Sequence, residues 1–170
     1  MIRQANETDL KGIIDIYNDA ILNTTAVYTY KPYNMSYARK WYEEKKEKGY
    51  PVLVFEECNK IIGFATFGQF RSWPAYKYSI EHSIYVSKDY RRRKIASKLM
   101  KKLIEIADKE EYAVIVAGID SSNKESIEFH KKIGFNYSGT IKKAGFKFGR
   151  WLDLDFYQFN LTGPKFPIEE

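Results

Sequence analysis

Apolar residues at Leu10, Ile13, Ile14, Tyr17 and Ile21 recur at three- and four-residue steps, which lines one face of an α-helix. The stretch "NETDLKGIIDIYNDAIL" therefore predicts a helix, with Asn6 able to cap it and Asp9 placed to favour its positive end. "NTTAVYTY" follows as a polar, β-branched loop suited to wall a ligand. A second helix is predicted from about Ser36 to Lys48, capped by Ser36 and stopped by Gly49. The period then changes. "PVLVFEECNKIIGFATFG" holds two β-rich runs around a polar turn at Asn59 and Lys60, which predicts a hairpin. A long strand is expected from about Tyr78 to Val86. Ile95, Leu99, Leu103 and Ile106 return to helical spacing, in a helix running through Ala107. "AVIVAGI" is apolar throughout, as expected for a strand in the middle of a sheet. "SSNKESIEFHKKIGF" predicts a short helix stopped by Gly134. Two strands, at about 137–141 and 151–161, end the pattern, the last alternating Leu152, Leu154 and Phe156 against Asp153, Asp155 and Tyr157. The order predicts a single mixed α/β domain over residues 1–161, with a frayed tail over 162–170.

Composition narrows the class. At 170 residues, 44% hydrophobic and 29% charged, the chain suits one domain with a sizeable core, and no apolar run reaches membrane-spanning length. The N-terminus is too polar and acidic for a signal peptide. Cys58 is the one cysteine, so no intrachain disulfide or thiolate cluster forms, and a reducing cytoplasm is the expected compartment. With only two histidines besides, a catalytic metal has too few ligands.

Net charge is +6, from 28 Lys and Arg against 22 Asp and Glu, which favours an anionic partner. The charge is pointed at one place. Arg91, Arg92, Arg93 and Lys94 stand directly before the helix that starts near Ile95. A helix N-terminus presents unpaired N–H groups and partial positive charge, so the amides of about Arg92 to Ser97, with the cations before them, suit a pyrophosphate.

Further along, Asn123, Ser126, His130, Gly134 and Phe135 complete a spacing that resembles the GCN5-related N-acetyltransferases. In that family a strand, an arginine-rich loop and a helix bind acetyl-CoA. Its loop reads roughly Gln/Arg-x-x-Gly-x-Gly/Ala, matched here by Arg91, Arg92, Arg93, Lys94, Ile95 and Ala96, with Lys94 in place of the first glycine. If residue 94 is in helical geometry, its side chain can point outward and leave its N–H free, so binding is expected to survive, weaker, with Lys94 contributing charge. "IYNDAILNTTAVY", "GYPVLV", "IEHSIYVS", "HKKIGF" and "AGFKFGRWLDLDFYQFNL" are similar to the phosphinothricin N-acetyltransferase branch, above all its members acting on methionine sulfoximine and methionine sulfone.

That resemblance implies a fold with a central mixed, mostly antiparallel sheet flanked by helices. It also implies a homodimer that moves acetyl from acetyl-CoA to the α-amine of a small amino-acid analogue. It carries roles onto positions. Glu81 becomes the general base, and the backbone of Ile84, Tyr85 and Val86 holds the pantetheine arm and the carbonyl oxygen. His130 becomes a candidate acid for the thiolate, or else a packing residue; Asn123 a contact to the cofactor arm. Arg71, Ser72 and Trp73 fall at the substrate pocket, where a guanidinium can grip a carboxylate. Asn23, Thr24, Thr25 and Val27 are secondary candidates. His82 alternates with Glu81 and is read as structural.

Three rivals stand beside this reading. Acetylation of a protein N-terminus or another amine differs only in substrate. A nucleic-acid binder would use the basic stripe through Lys98, Lys101 and Lys102, but the aromatics fall at core spacing. A non-catalytic acetyl-CoA-binding module would explain the lost loop glycine.

Overall fold

The computed structural model describes residues 1–169. Its sheet holds 7 strands in the order β1-β2-β3-β4-β5-β7-β6. They are β1 (Ile2–Gln4), β2 (Val52–Glu57), β3 (Lys60–Gln69), β4 (Ser79–Val86), β5 (Val114–Asp120), β6 (Asn136–Lys147) and β7 (Arg150–Asn160). The β4–β5 pair is parallel, while β1–β2, β2–β3, β5–β7 and β6–β7 are antiparallel, so the sheet is mixed and mostly antiparallel as expected. The chain divides into two units, Met1–Phe67 with Ser83–Leu103, and Gly68–His82 with Ile104 onward.

In the first unit, Asn6 does cap, over a 3-10 turn (Glu7–Asp9) that leads into α1 (Leu10–Asn23). Thr8 N–H donates to the Asn6 side chain at 2.9 Å and Asn6 N–H donates to Asp9 at 2.8 Å, a reciprocal box. Arg3 grips Asp9 at 2.6 and 2.8 Å and holds that carboxyl below its ordinary range. Leu10, Ile13 and Ile14 then pack on Val52, Val54 and Phe64. The second helix, α2 (Met35–Glu47), is capped by Asn34 and not Ser36: Tyr37 N–H donates to Asn34 at 2.9 Å. The cause lies one residue earlier, where Asn18 makes two bonds to the Tyr33 backbone, at 2.9 and 2.8 Å, and fixes where the helix can begin.

The β2–β3 turn sits at Cys58 and Asn59, one residue before the expected position. Both have left-handed φ, 50° and 58°, as a two-residue hairpin loop requires, and Lys60 joins the strand. Strand β1, three residues long, is too short to leave a periodic signal and goes unpredicted. Helix α3 (Ile95–Lys109) buries Ile95, Leu99, Met100, Leu103 and Ala107, while Ile106 is only half-buried.

In the second unit, β5 pairs with β4 from Ser79–Val114 to Glu81–Val116 and with β7 along its whole length. Strand β6 runs well past Ile141, because register shifts at Tyr137/Gly139 and Ile141/Gly145 interrupt the alternation that marks a strand in sequence. The alternation of β7 also breaks: Leu152 and Tyr157, of opposite parity, are both buried. Helix α4 (Lys124–Ile133) is capped by Asn123 and closed by Gly134 at φ 115°, where any side chain would meet the Phe159 ring at 3.2 Å. Residues 162–168 form no helix or strand, although Ile168 N–H donates to the Tyr78 hydroxyl at 3.1 Å.

Candidate active site

The basic loop of the first unit is shaped at two residues. Arg92 and Lys94 both have left-handed backbones, with φ 61° and 60°. The helical geometry at residue 94 is not found: α3 starts at Ile95, and Lys94 holds a left-handed backbone, a conformation that favours glycine. A lysine there costs about 1–2 kcal/mol of steric strain. Lys98 N–H donates to the Lys94 carbonyl at 3.1 Å, the first bond of α3, so the amides of Ile95, Ala96 and Ser97 precede any intrahelical partner. The side chains around them divide. Arg93 is engaged by Glu57 at 2.9 and 2.8 Å and lies over Tyr90, leaving mainly its backbone for an anion. Arg91, Arg92 and Lys94 are exposed and have no ion-pair partner among the described residues. Three cations without an ion-pair partner, next in the chain to three amides that head a helix, suit a diphosphate.

Strand β4 leads to this loop. Alternation puts Glu81, Ser83 and Tyr85 on one face and Ile80, His82 and Ile84 on the other. Gly63 of β3 lies so close that a Cβ there would meet the Tyr85 carbonyl at 3.2 Å and Ile95 Cγ2 at 3.1 Å.

In the second unit Glu81 is half-buried and receives no hydrogen bond among the described residues. Burial pushes its carboxyl above the ordinary range, and the positive charge of Arg71 pulls it partway back. Gly118 of β5 makes room for it: a Cβ there would stand 3.1 Å from Glu81 Oε1. Sequence reasoning missed Gly118. Its signal was a glycine inside an otherwise apolar strand, which marks a close approach. Arg71 stacks on Phe70 at 4.6 Å, and Ser72 and Trp73 beside it are exposed.

The two histidines meet. His130 Nε2 lies 3.0 Å from His82 Nε2, and His130 Nδ1 lies 2.7 Å from the Ser126 carbonyl. A carbonyl can only accept, so His130 carries its proton on Nδ1, and His82 Nε2–H donates to His130 Nε2. Both rings are buried, and burial holds both below the ordinary histidine range; His82 Nδ1 has no partner among the described residues. Both nitrogens of His130 thus already face protein. Asn123 commits its oxygen to Ser126 N–H at 3.1 Å, leaving its amide NH₂. Asn23 donates to Asp19 and Thr24 to the Ala20 carbonyl, so these two close the end of α1; Thr25 and Val27 are half-buried beyond it. No group of three or more His, Cys, Asp or Glu among the described residues could hold a metal, and no helix is long and apolar enough to cross a membrane.

A helix head that suits a diphosphate, and a half-buried carboxylate on the strand before it, are what an acyltransferase drawing on a coenzyme A thioester needs, and the likeness to known proteins shows that class. The chain belongs to the acetyltransferase (GNAT) domain family, which matches residues 2–155. It is 40% identical over 161 residues to an L-methionine sulfoximine/L-methionine sulfone acetyltransferase of Pseudomonas aeruginosa, covering 94% of each chain. Two solved structures extend the likeness. An N-acetyltransferase from Staphylococcus aureus superposes with TM-score 0.94 at 52% identity, covering 95% of this chain and 98% of that one. A phosphinothricin acetyltransferase from Sinorhizobium meliloti in complex with acetyl-CoA gives TM-score 0.91 at 33% identity, covering 95% and 88%. The protein is an N-acetyltransferase that takes acetyl from acetyl-CoA.

Proposed function

We propose that the enzyme acetylates the α-amine of a small amino-acid analogue of the methionine sulfone, methionine sulfoximine or phosphinothricin type. The observation that carries this is Glu81: a half-buried carboxylate without a hydrogen-bond donor of its own, in the field of Arg71. A free amino acid presents an ammonium and a carboxylate side by side, and a carboxylate and a guanidinium answer them in kind.

Bound acetyl-CoA supplies a thioester carbonyl open to attack by an amine. The amine must first lose a proton, because an α-ammonium has a pKa of about 8 or above. Glu81 accepts that proton, directly or through one water, and its raised pKa brings it nearer to the ammonium it deprotonates. The free amides heading α3, with Arg91, Arg92 and Lys94, hold the diphosphate. The β4 backbone at Ile84, Tyr85 and Val86 lies along the pantetheine arm, and Asn123 offers its amide NH₂ to the same arm. His130, enclosed as it is, serves the site as packing and as the ring that orders α4 against His82. Ser72 and Trp73 follow Arg71 in the same exposed loop, and Asn23, Thr24, Thr25 and Val27 stay secondary candidates for contact with the acceptor.

The relatives named for methionine sulfoximine, methionine sulfone and phosphinothricin support the substrate class. A homodimer in the cytoplasm completes the reading. Exposed Phe146, Phe148 and Trp151 around the β6–β7 turn offer an apolar contact, and exposed free Cys58 suits a reducing compartment. Release of free CoA, measured across amino-acid analogues, polyamines and peptide N-termini, tests it. Turnover confined to the amino-acid analogues and reduced by both Glu81→Gln and Arg71→Met is expected; preference for peptides or polyamines would overturn it.

A further inference from the structure

The first unit holds a cavity of about 60 Å³ that no step above uses. Its walls are mainly aromatic, with Tyr17 and Trp41 edge-on to Phe64 at 6.2 and 6.3 Å. Lys45 reaches into this lining from α2, and its ammonium donates to the Phe67 carbonyl at 2.7 Å. Its other N–H groups have no hydrogen-bond partner among the described residues, and neither has the Ser83 hydroxyl in the same lining. No carboxylate answers the charge. None lies in the lining, and the two acids before Lys45 in α2 pair elsewhere, Glu43 with Lys46 and Glu44 with Lys40, each at 3.9 Å. The other titratable groups around it are the phenols of Tyr17 and Tyr37, pushed up by burial and so neutral, the Tyr50 ring at 5.3 Å, and Lys48, whose charge repels. Burial, with that repulsion, brings the Lys45 ammonium from 10.5 down to about 8. At pH 7.5 about a quarter of it is then free amine, against about one part in a thousand for an ordinary lysine.

A half-buried amine without a counter-ion is a nucleophile, and the co-substrate of this protein is an acyl donor. The space beside the amine has room for the group that would arrive. One water takes roughly 10–15 Å³ of such space, so the cavity holds about four to six heavy atoms, and an acetyl group needs fewer. An acetamide at Lys45 keeps one N–H for the Phe67 carbonyl, sets its methyl among the rings and offers its oxygen to the Ser83 hydroxyl. It also removes the buried charge. Ser83 and Tyr85 belong to β4, so the cavity borders the strand along which the pantetheine arm is read, within one unit.

We propose that Lys45 is a site of Nε-acetylation by the acetyl-CoA this enzyme itself binds, with the acetyl group coming to rest in the cavity. The neutral amine attacks the thioester carbonyl, a C–N bond forms as the C–S bond breaks, and the proton shed by nitrogen passes through water to the departing thiolate, giving CoA thiol. The proposal rests on the acetyl-CoA reading and is independent of which amine is the acceptor.

The test uses the wild-type chain, so no variant has to fold. The protein is incubated with acetyl-CoA carrying a deuterated acetyl group, without any acceptor amine, and its peptides are followed by mass spectrometry. Label at Lys45 should appear at least about tenfold faster than at Lys40 and Lys46, exposed lysines of the same helix. The rate at Lys45 should saturate with acetyl-CoA and level off above about pH 8. Unlabelled acetyl on Lys45, and not on Lys40 or Lys46, in the protein as isolated supports the site as well. A rate at Lys45 no greater than at those two lysines, a linear rise with acetyl-CoA, or a rate still climbing past pH 9 overturns the proposal. Thermal unfolding at pH 7 then tests where the group rests. The acetylated chain should unfold at a higher temperature than the unmodified one, because a buried charge has gone; a lower temperature overturns its seating in the cavity. CoA release with amino-acid acceptors, measured on the same preparation, keeps the readings apart. Turnover without label at Lys45 sinks this proposal alone, and label without turnover on any amino acid sinks the acceptor reading alone.

Discussion

Glu81 sits where two influences oppose each other, burial raising its pKa and Arg71 lowering it; as the proposed base it gains basicity from the first, while the second favours its charged form. Glu81→Gln keeps the shape and removes the proton acceptor. We expect kcat to fall by about 100-fold or more, the usual share of a general base, with Kd for acetyl-CoA within about twofold, read by single-turnover kinetics and calorimetry. Lys94 makes a second residue-scale case. Its left-handed backbone carries strain that glycine would not, while the proposed anion seat is made of amides that glycine also has. Lys94→Gly should therefore raise stability by up to about 1 kcal/mol in denaturant unfolding and weaken acetyl-CoA by less than about tenfold. The basic loop was legible in the sequence as charge before a helix, whereas Glu81 and Arg71 were singled out by the family resemblance and not by a local pattern. The backbone of residue 94 was not legible: a φ angle leaves no mark when the residue that usually signals it is absent. The meeting of His82 with His130 was hidden too, since 48 residues separate them.

Elements were legible in proportion to how long their period ran. The α1 stripe and the β2–β3 hairpin declared themselves; β1 was too short, and β6 was masked by its two register shifts. The α2 start moved because a tertiary contact, Asn18 to the Tyr33 backbone, outweighed the local choice between Asn34 and Ser36. Two glycines show how elements position the site, and they should fail differently. On β5, a methyl at Gly118 meets the free end of the Glu81 side chain, which can swing away. Gly118→Ala should leave thermal stability nearly unchanged and lower kcat about tenfold or more, since a misplaced base loses much of its effect. On β3, a methyl at Gly63 meets the Tyr85 carbonyl and Ile95, neither free to move without shifting β4 or the head of α3. Gly63→Ala should cost about 1–3 kcal/mol and also raise Kd for acetyl-CoA.

Across the whole molecule, the buried ionisable groups pull stability in opposite directions with pH. The folded state holds His82 and His130 below the ordinary value of 6.5, so the stability tied to their neutral forms is fully present above pH 6.5 and is lost as pH falls through their lowered values. Glu81 is held above 4.5, so its contribution is fully present below pH 4.5 and is lost as pH rises through its raised value. Between about pH 4.5 and 6.5 the two act against each other, and the wild type should lose stability gently on acidification. Removing either side exposes the other. Glu81→Gln should be at least as stable as the wild type at pH 7, having no buried charge to hold, and should lose stability more steeply toward pH 5. Replacing both histidines, as His82→Phe with His130→Phe, should flatten the acid limb or reverse it. A third group marks the alkaline side: Lys45, lowered from 10.5 to about 8, should add stability as pH rises between those values, an increment absent from Lys45→Met. Midpoints of thermal unfolding from pH 4.5 to 10.5 for these four proteins separate the contributions. Parallel acid limbs in the wild type and the two acid-side variants would show that neither the histidine pair nor Glu81 is buried as described.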